Sequence, residues 1–134
     1  MNGSYELAWV PGTKRLNFSL HGVWDAQTMA RWDADYRAAV GRAPAGGWVV
    51  VGDMTDHPAQ SESIQKGHEA LMVFSAQNGL VRAALLVPRV VAAMQMKRLA
   101  GQAQADMLIH FVSTVAEADS VIAGDLAAMG SRSR

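Results

Sequence analysis

The sequence predicts an α/β domain, with a mostly parallel or mixed sheet of about five strands packed against about four helices. The expected order is β-β-α-β-α-β-α-β-α. Three observations carry this expectation. Short apolar runs alternate with segments of helical periodicity along nearly the whole chain. The runs Trp48–Val51 and Leu80–Val87 are apolar at almost every position, as strands are when helices cover both faces of a sheet. The connections between segments are short, which favours right-handed crossovers between parallel neighbours.

Each element has a local reason. Tyr5–Val10 reads as a strand stopped by the turn dipeptide Pro11–Gly12. Arg15–His21 alternates, with Leu16, Phe18 and Leu20 on one face, and pairs with the first strand as a hairpin. Asp25 is placed to cap a helix over Ala26–Val40, whose apolar stripe is Met29, Trp32, Tyr36 and Val40. The stretch Gly47–Asp53 is a buried strand closed by Asp53, followed by the turn-rich Met54–Pro58.

A second helix begins between Pro58 and Ser63, turns Ile64, Gly67 or His68, Leu71 and Phe74 or Ser75 inward, and stops at Asn78–Gly79. Leu80–Val87 is the next strand, and Pro88 is suited to the first position of a third helix carrying Val91, Met94 and Leu99. Met107–Val112 is the last strand. Thr114 and Glu117 form a capping box for a final helix with Ala118, Val121, Ile122, Leu126 and Met129 inward. Residues 1–130 are expected to form one domain, and 131–134 a flexible C-terminal tail.

Composition narrows the function classes. Twelve basic residues balance twelve acidic ones, so the chain lacks the long-range field that nucleic acids or acidic membranes attract. The absence of cysteine removes disulfides, thiolate catalysis and thiolate metal sites. No signal peptide is visible at the start, and the apolar stretch Leu80–Met94 is interrupted by Arg82, Pro88 and Arg89. A cytoplasmic protein with no membrane span is expected.

Several stretches carry a resemblance. Gly22–Val23–Trp24–Asp25 leads into the first helix, Trp48–Asp53 is a central strand ending in aspartate, and Phe111–Ala118 joins the closing strand to the last helix. Together they resemble the STAS, or SpoIIAA-like, family of anti-sigma-factor antagonists, as a divergent member. The resemblance implies a bacterial, non-enzymatic signalling module that binds a partner protein, such as a kinase or an anti-sigma-like regulator. In phosphoregulated members an Asp-Ser-Ser-Gly stretch follows the strand aspartate by about eight residues. The matching stretch here is Ser61–Glu62–Ser63–Ile64, with Ser63 on the phosphoacceptor position. Ser61 replaces the motif's aspartate, Glu62 its first serine and Ile64 its glycine. A wider resemblance, to Sec14-like domains, implies a small hydrophobic or lipid-like ligand as an alternative.

The candidate site is therefore Asp53, Asp56, His57, Ser61, Glu62 and Ser63, read as a docking or phosphoacceptor loop where a sheet hands over to a helix. A phosphate on Ser63 would sit at the positive end of the helix dipole, and Glu62 would add rim charge or mimic a permanently charged state. The competing expectation is that one serine caps the helix and the other is solvated. Asp53, Asp56 and His57, with His68 and Glu69, offer donors for a hard metal or an acid–base pair, but no ligand spacing of a known metal motif is present. No metal or cofactor is expected. A hydrolase built from Ser61 or Ser63 with His57 and Asp56 lacks the G-x-S-x-G elbow. Met72, Met94, Met96 and Met107 are read as core filler or as the walls of an apolar ligand groove. A homo-oligomer is compatible with the sequence.

Overall fold

The structure is a computed structural model describing residues 3–132. The first two strands, β1 (Ser4–Trp9) and β2 (Arg15–His21), form the expected antiparallel hairpin. Next come α1 (Ala26–Gly41), β3 (Trp48–Asp56), α2 (Glu62–Gln77), β4 (Leu80–Leu86), α3 (Val90–Gln102), β5 (Ile109–Val112) and α4 (Val115–Arg132). Ser133 and Arg134, the end of the expected tail, lie outside the described residues. The sheet order is β1-β2-β3-β4-β5, and every pairing after the hairpin is parallel.

This order explains the layering. Three successive crossovers step in one direction across the sheet, and right-handed connections then place α1, α2 and α3 on one face. The chain turns back only after β5, so α4 packs on the opposite face against β3, β4 and β5. Successive residues of β3 accordingly enter different cores. Val50 packs with the layer under α1–α3, and Val49 with the smaller layer under α4. The α4-side surface of β1 and β2 is left open as a hollow of about 310 Å³ bordered by Glu6, Arg15, Asn17, Ser19 and Asp53.

Local chemistry sets the helix positions. Asp25 accepts the Thr28 amide at 2.8 Å and starts α1 as expected. Met29, Trp32, Tyr36 and Val40 are buried along one stripe of α1, each side chain stabilising the fold by about 1.5–3 kcal/mol. Asn78 and Gly79 (φ +94°) end α2 where the sequence places the stop. At α4, Thr114 Oγ1 accepts the Glu117 amide at 3.1 Å, while the Glu117 carboxylate reaches back to the Ser113 amide at 2.9 Å.

Three expectations need correction. Asp53 does not close β3, because the strand continues through Asp56, where it still pairs with His21 across a register shift. Pro88 is not the first residue of α3, since Arg89 occupies the N-cap position and the helix starts at Val90. The face that α3 turns inward is Ala92, Met96, Leu99 and Ala100, and Val91 and Met94 are left 59% and 65% exposed. The last strand is also shorter than expected, and Met107 lies outside it, exposed.

Candidate functional site

Because β2 to β5 are parallel, their C-terminal ends share one edge of the sheet. The N-terminal ends of all four helices, at Asp25, Ser61, Arg89 and Thr114, face the same edge. Asp56, His57, Ser61, Glu62 and Ser63 are brought there by the segment from the end of β3 to the first turn of α2.

Asp53, Asp56, Ser61, Glu62 and Ser63 are exposed. The Asp53 carboxylate accepts from its near neighbour Thr55, at 3.0 Å from the amide and 2.6 Å from the hydroxyl. It points to the open side of the sheet, bordering the same hollow as Ser19 and Glu6. Ser63 instead borders a cleft between α1 and α2 with Met29, Ala30 and Gly67. The strand aspartate and the serine thus occupy different hollows of the same edge. Ser61 stands at the N-cap of α2, but its side chain makes no capping bond and lies 3.3 Å from Ser63 Oγ. Glu62 is paired one turn along with Lys66 at 3.4 Å. Asp56 is 3.4 Å from His21 Nδ1, whose other ring nitrogen faces Glu6 at the same distance.

His57 behaves differently. It is 1% exposed, and its Nδ1 donates to the Gly22 carbonyl at 3.0 Å. Its Nε2 faces Nε2 of His68, itself buried on α2, at 3.1 Å. A carbonyl can only accept, so the His57 proton sits on Nδ1, and His68 donates across the pair. Burial pushes the His57 pKa down to about 4, against the opposing pull of the Gly22 carbonyl, and that of His68 to about 3, where the neighbouring His57 adds to the cost of a positive charge. Both rings pack against Trp24, at centroid distances of 4.9 and 5.6 Å.

Gln60 completes this network from the loop. Its side chain accepts the Trp24 amide at 2.8 Å and donates to the carbonyls of Pro58 (2.7 Å) and Gly22 (3.1 Å). Gln95 on α3 accepts the Gln60 amide at 2.9 Å, and Gln65 on α2 donates to its carbonyl at 2.9 Å. Four parts of the fold are thus fastened to one glutamine. The loop presents carboxylates and hydroxyls outward, and a satisfied polar network holds it from within.

This geometry separates the residues of the hydrolase alternative. His57 turns both ring nitrogens away from the serines, toward Gly22 and His68. Among the described residues, no three His, Cys, Asp or Glu side chains converge as a metal site. The role of Gln60 was not legible in the sequence, where a glutamine between Pro58 and Ser61 reads as solvated loop. The meeting of His57 with His68 was missed for a related reason. Helical spacing offers Gly67 or His68 for the inward position, which His68 takes, but nothing local indicates that His57 turns in to meet it.

Two further features belong to this part of the molecule. Among the described residues the exposed large hydrophobics are Val23, Val90, Val91, Met94, Met107 and Val115. All but Met107 follow the C-terminal end of a parallel strand by eight residues or fewer. Arg89 ties the start of α3 to the end of β3 by donating to the Thr55 carbonyl at 3.2 Å. Beneath the edge, between the sheet and α1–α3, lies a cavity of about 60 Å³ lined chiefly by apolar side chains, including Met54, Met72 and Met96. Its polar borders are His68 and the pair Tyr36–Ser75, in which the hydroxyls are 2.6 Å apart and Ser75 donates to the Leu71 carbonyl.

No family model matches the chain, and no curated protein matches it in sequence. A solved structure described as the anti-sigma factor antagonist SpoIIAA in its unphosphorylated form does match, with a TM-score of 0.63 at 16% identity. The match covers 90% of this chain and 97% of that one. No helix among the described residues is long and apolar enough to cross a membrane. The strand order, the hairpin and the four helices are accounted for by that comparison: the chain has the α/β fold of SpoIIAA, at a sequence distance where the likeness is one of fold.

Proposed function

We propose that the protein is a non-enzymatic regulatory or scaffold module that binds a partner protein at the carboxyl edge of its sheet. The observation that carries this reading is the set of exposed apolar side chains that follow the strand ends, Val23, Val90, Val91, Met94 and Val115, on the segments that leave the same edge as the loop bearing Asp56, Ser61, Glu62 and Ser63. Exposed apolar groups rimmed by polar ones mark interaction surfaces, and each would gain about 25 cal/mol per Å² on being covered. The likeness to an anti-sigma factor antagonist adds support at the level of fold.

Within this reading Ser63 is the modifiable group. It is exposed in the first turn of α2, where free amides and the helix dipole favour a phosphate. Asp53, on the other side of the sheet, is then a rim residue of the docking surface. A photo-crosslinking residue placed at Val91 should capture a partner that the same residue at Met107, off this edge, does not. Equal capture at both positions would refute the surface. Intact-mass analysis of protein from its native host reads the modification directly, and a phosphate that persists in Ser63→Ala rejects the role of Ser63.

A small hydrophobic ligand is the second reading, favoured by the apolar cavity of about 60 Å³. At the roughly 30 Å³ that a water occupies, this volume holds a molecule of two or three heavy atoms. A lipid chain would require Met54, Met72 and Met96 to move apart. Native mass spectrometry of freshly purified protein tests this reading, and a chain that carries no small molecule counts against it.

A further inference from the structure

His57 and three side chains beside it, His68, Met54 and Met96, together form a donor set that the readings above do not combine. His57 and His68 are buried with Nε2 atoms 3.1 Å apart. Met54 and Met96, both buried, line the same small cavity as the two imidazoles. The other walls of that cavity are Pro58, Gln60, Gln65, Ala92 and Gln95, with no carboxylate among them. Asp53 and Asp56 are outside it, exposed to solvent.

The spacing of the imidazoles fits a shared ion. With metal–nitrogen bonds of about 2.0 Å, two corners of a tetrahedral site lie about 3.3 Å apart. The observed separation is 3.1 Å, so the nitrogens need to part by only a few tenths of an ångström, while each ring turns to swing its lone pair from the facing nitrogen to the ion. His57 already has the orientation of a metal ligand, because its other nitrogen donates to a backbone carbonyl, that of Gly22. Thioethers and imidazoles are neutral, soft to intermediate donors, and they select copper(I) over magnesium, calcium or manganese. A dication such as zinc would bring two uncompensated charges into the core, where copper(I) brings one.

We propose that His57, His68, Met54 and Met96 form a binding site for copper(I). On binding, the proton of His68 moves from Nε2 to Nδ1, freeing Nε2 as a ligand, so both histidines stay neutral and no proton is lost. The half-buried side chains of Pro58, Gln65 and Gln95 form the side of the cavity nearest solvent, which is where the ion enters.

The test is anaerobic titration of the whole chain with copper(I) held by a coloured chelator of known affinity. The protein should remove one equivalent of copper, and X-ray absorption of that complex should show both sulfur and nitrogen neighbours. Met54→Leu and Met96→Leu keep side-chain volume, so both should fold, and each should weaken copper binding at least tenfold. Failure to take copper from the chelator would leave the imidazoles as a hydrogen-bonded pair and overturn the site. So would uptake that both leucine variants leave unchanged, or a spectrum without sulfur, since either result moves the ion to groups nearer the surface, such as the half-buried His21 or the exposed His110.

Discussion

His57 and His68 come from different elements, eleven positions apart in sequence, and meet nitrogen to nitrogen in a core that offers them Trp24 and two methionines. Their neutrality is a condition of the fold. Burial depresses both pKa values, so between pH 6.5 and about 4 the unfolded chain takes up protons that the folded chain refuses. The stabilising contribution of each ring is therefore complete above pH 6.5 and is lost as pH falls toward the folded values. In chelator-treated protein, stability should drop by up to about 1.4 kcal/mol per pH unit for each histidine across that window. Urea unfolding at pH 7, 6 and 5 measures it, and a midpoint that stays constant would show that the rings are not buried as neutral groups.

Gln60 should be the residue on which the loop depends. Gln60→Ala leaves the Trp24 amide and the Pro58 carbonyl without this partner, at a cost of about 1–3 kcal/mol. Hydrogen exchange should quicken at Trp24 and across residues 57–61 before it does so in β3 and β4. Uniform quickening across the sheet would mean that the loop does not open as a separate unit.

The two helix caps predict opposite results. Asp25→Ala should lower the melting temperature, because the carboxylate holds the Thr28 amide. This bond holds the Asp25 pKa below its usual value, so the benefit is present at neutral pH and disappears as the carboxylate protonates in acid. Ser61→Ala should leave the melting temperature unchanged, since the hydroxyl caps nothing. A matching loss in both variants, read by thermal unfolding at pH 7, would contradict this difference.

Gly52 is a site of close approach inside the sheet. A methyl group there would lie 2.2 Å from the Phe18 ring and 2.8 Å from Leu85, so Gly52→Ala should cost about 1–3 kcal/mol in chemical unfolding. Replacement of Phe18 by leucine in the same chain should recover part of the loss. If it recovers nothing, the strain lies elsewhere.

On the docking surface, Met94→Glu should change stability by no more than about 0.5 kcal/mol, because the side chain is exposed. It should nonetheless abolish crosslinking through Val91. Loss of stability together with capture would mean that Met94 supports the fold instead.

The parts of this fold that were legible in the sequence are those governed by local periodicity and punctuation. Leu16, Phe18 and Leu20 alternate because one face of β2 is buried, and Met29, Trp32, Tyr36 and Val40 recur because one stripe of α1 is. Asp25, Thr114 and Asn78–Gly79 carry their own start and stop chemistry. The misreadings came where tertiary contacts outweigh local signals. Val91 and Met94 look like core residues by composition, but α3 packs through the face of Ala92, Met96 and Leu99 and leaves them outside. Asp53 looks like a strand terminus, yet the ladder to β2 carries β3 on to Asp56. The place of the candidate loop beyond the end of β3 was legible, while the inward turn of His57 depends on a helix that follows it.

The strands lie side by side in the order in which the chain runs. No strand has to be threaded between two that have already paired, and each new unit finds its neighbour among the residues just before it. Each parallel pairing still closes over one intervening helix, and no pairing has to skip a strand. During synthesis the sheet can grow one strand at a time, with β1 and β2 as its first edge and β5 and α4 arriving last to close the opposite face.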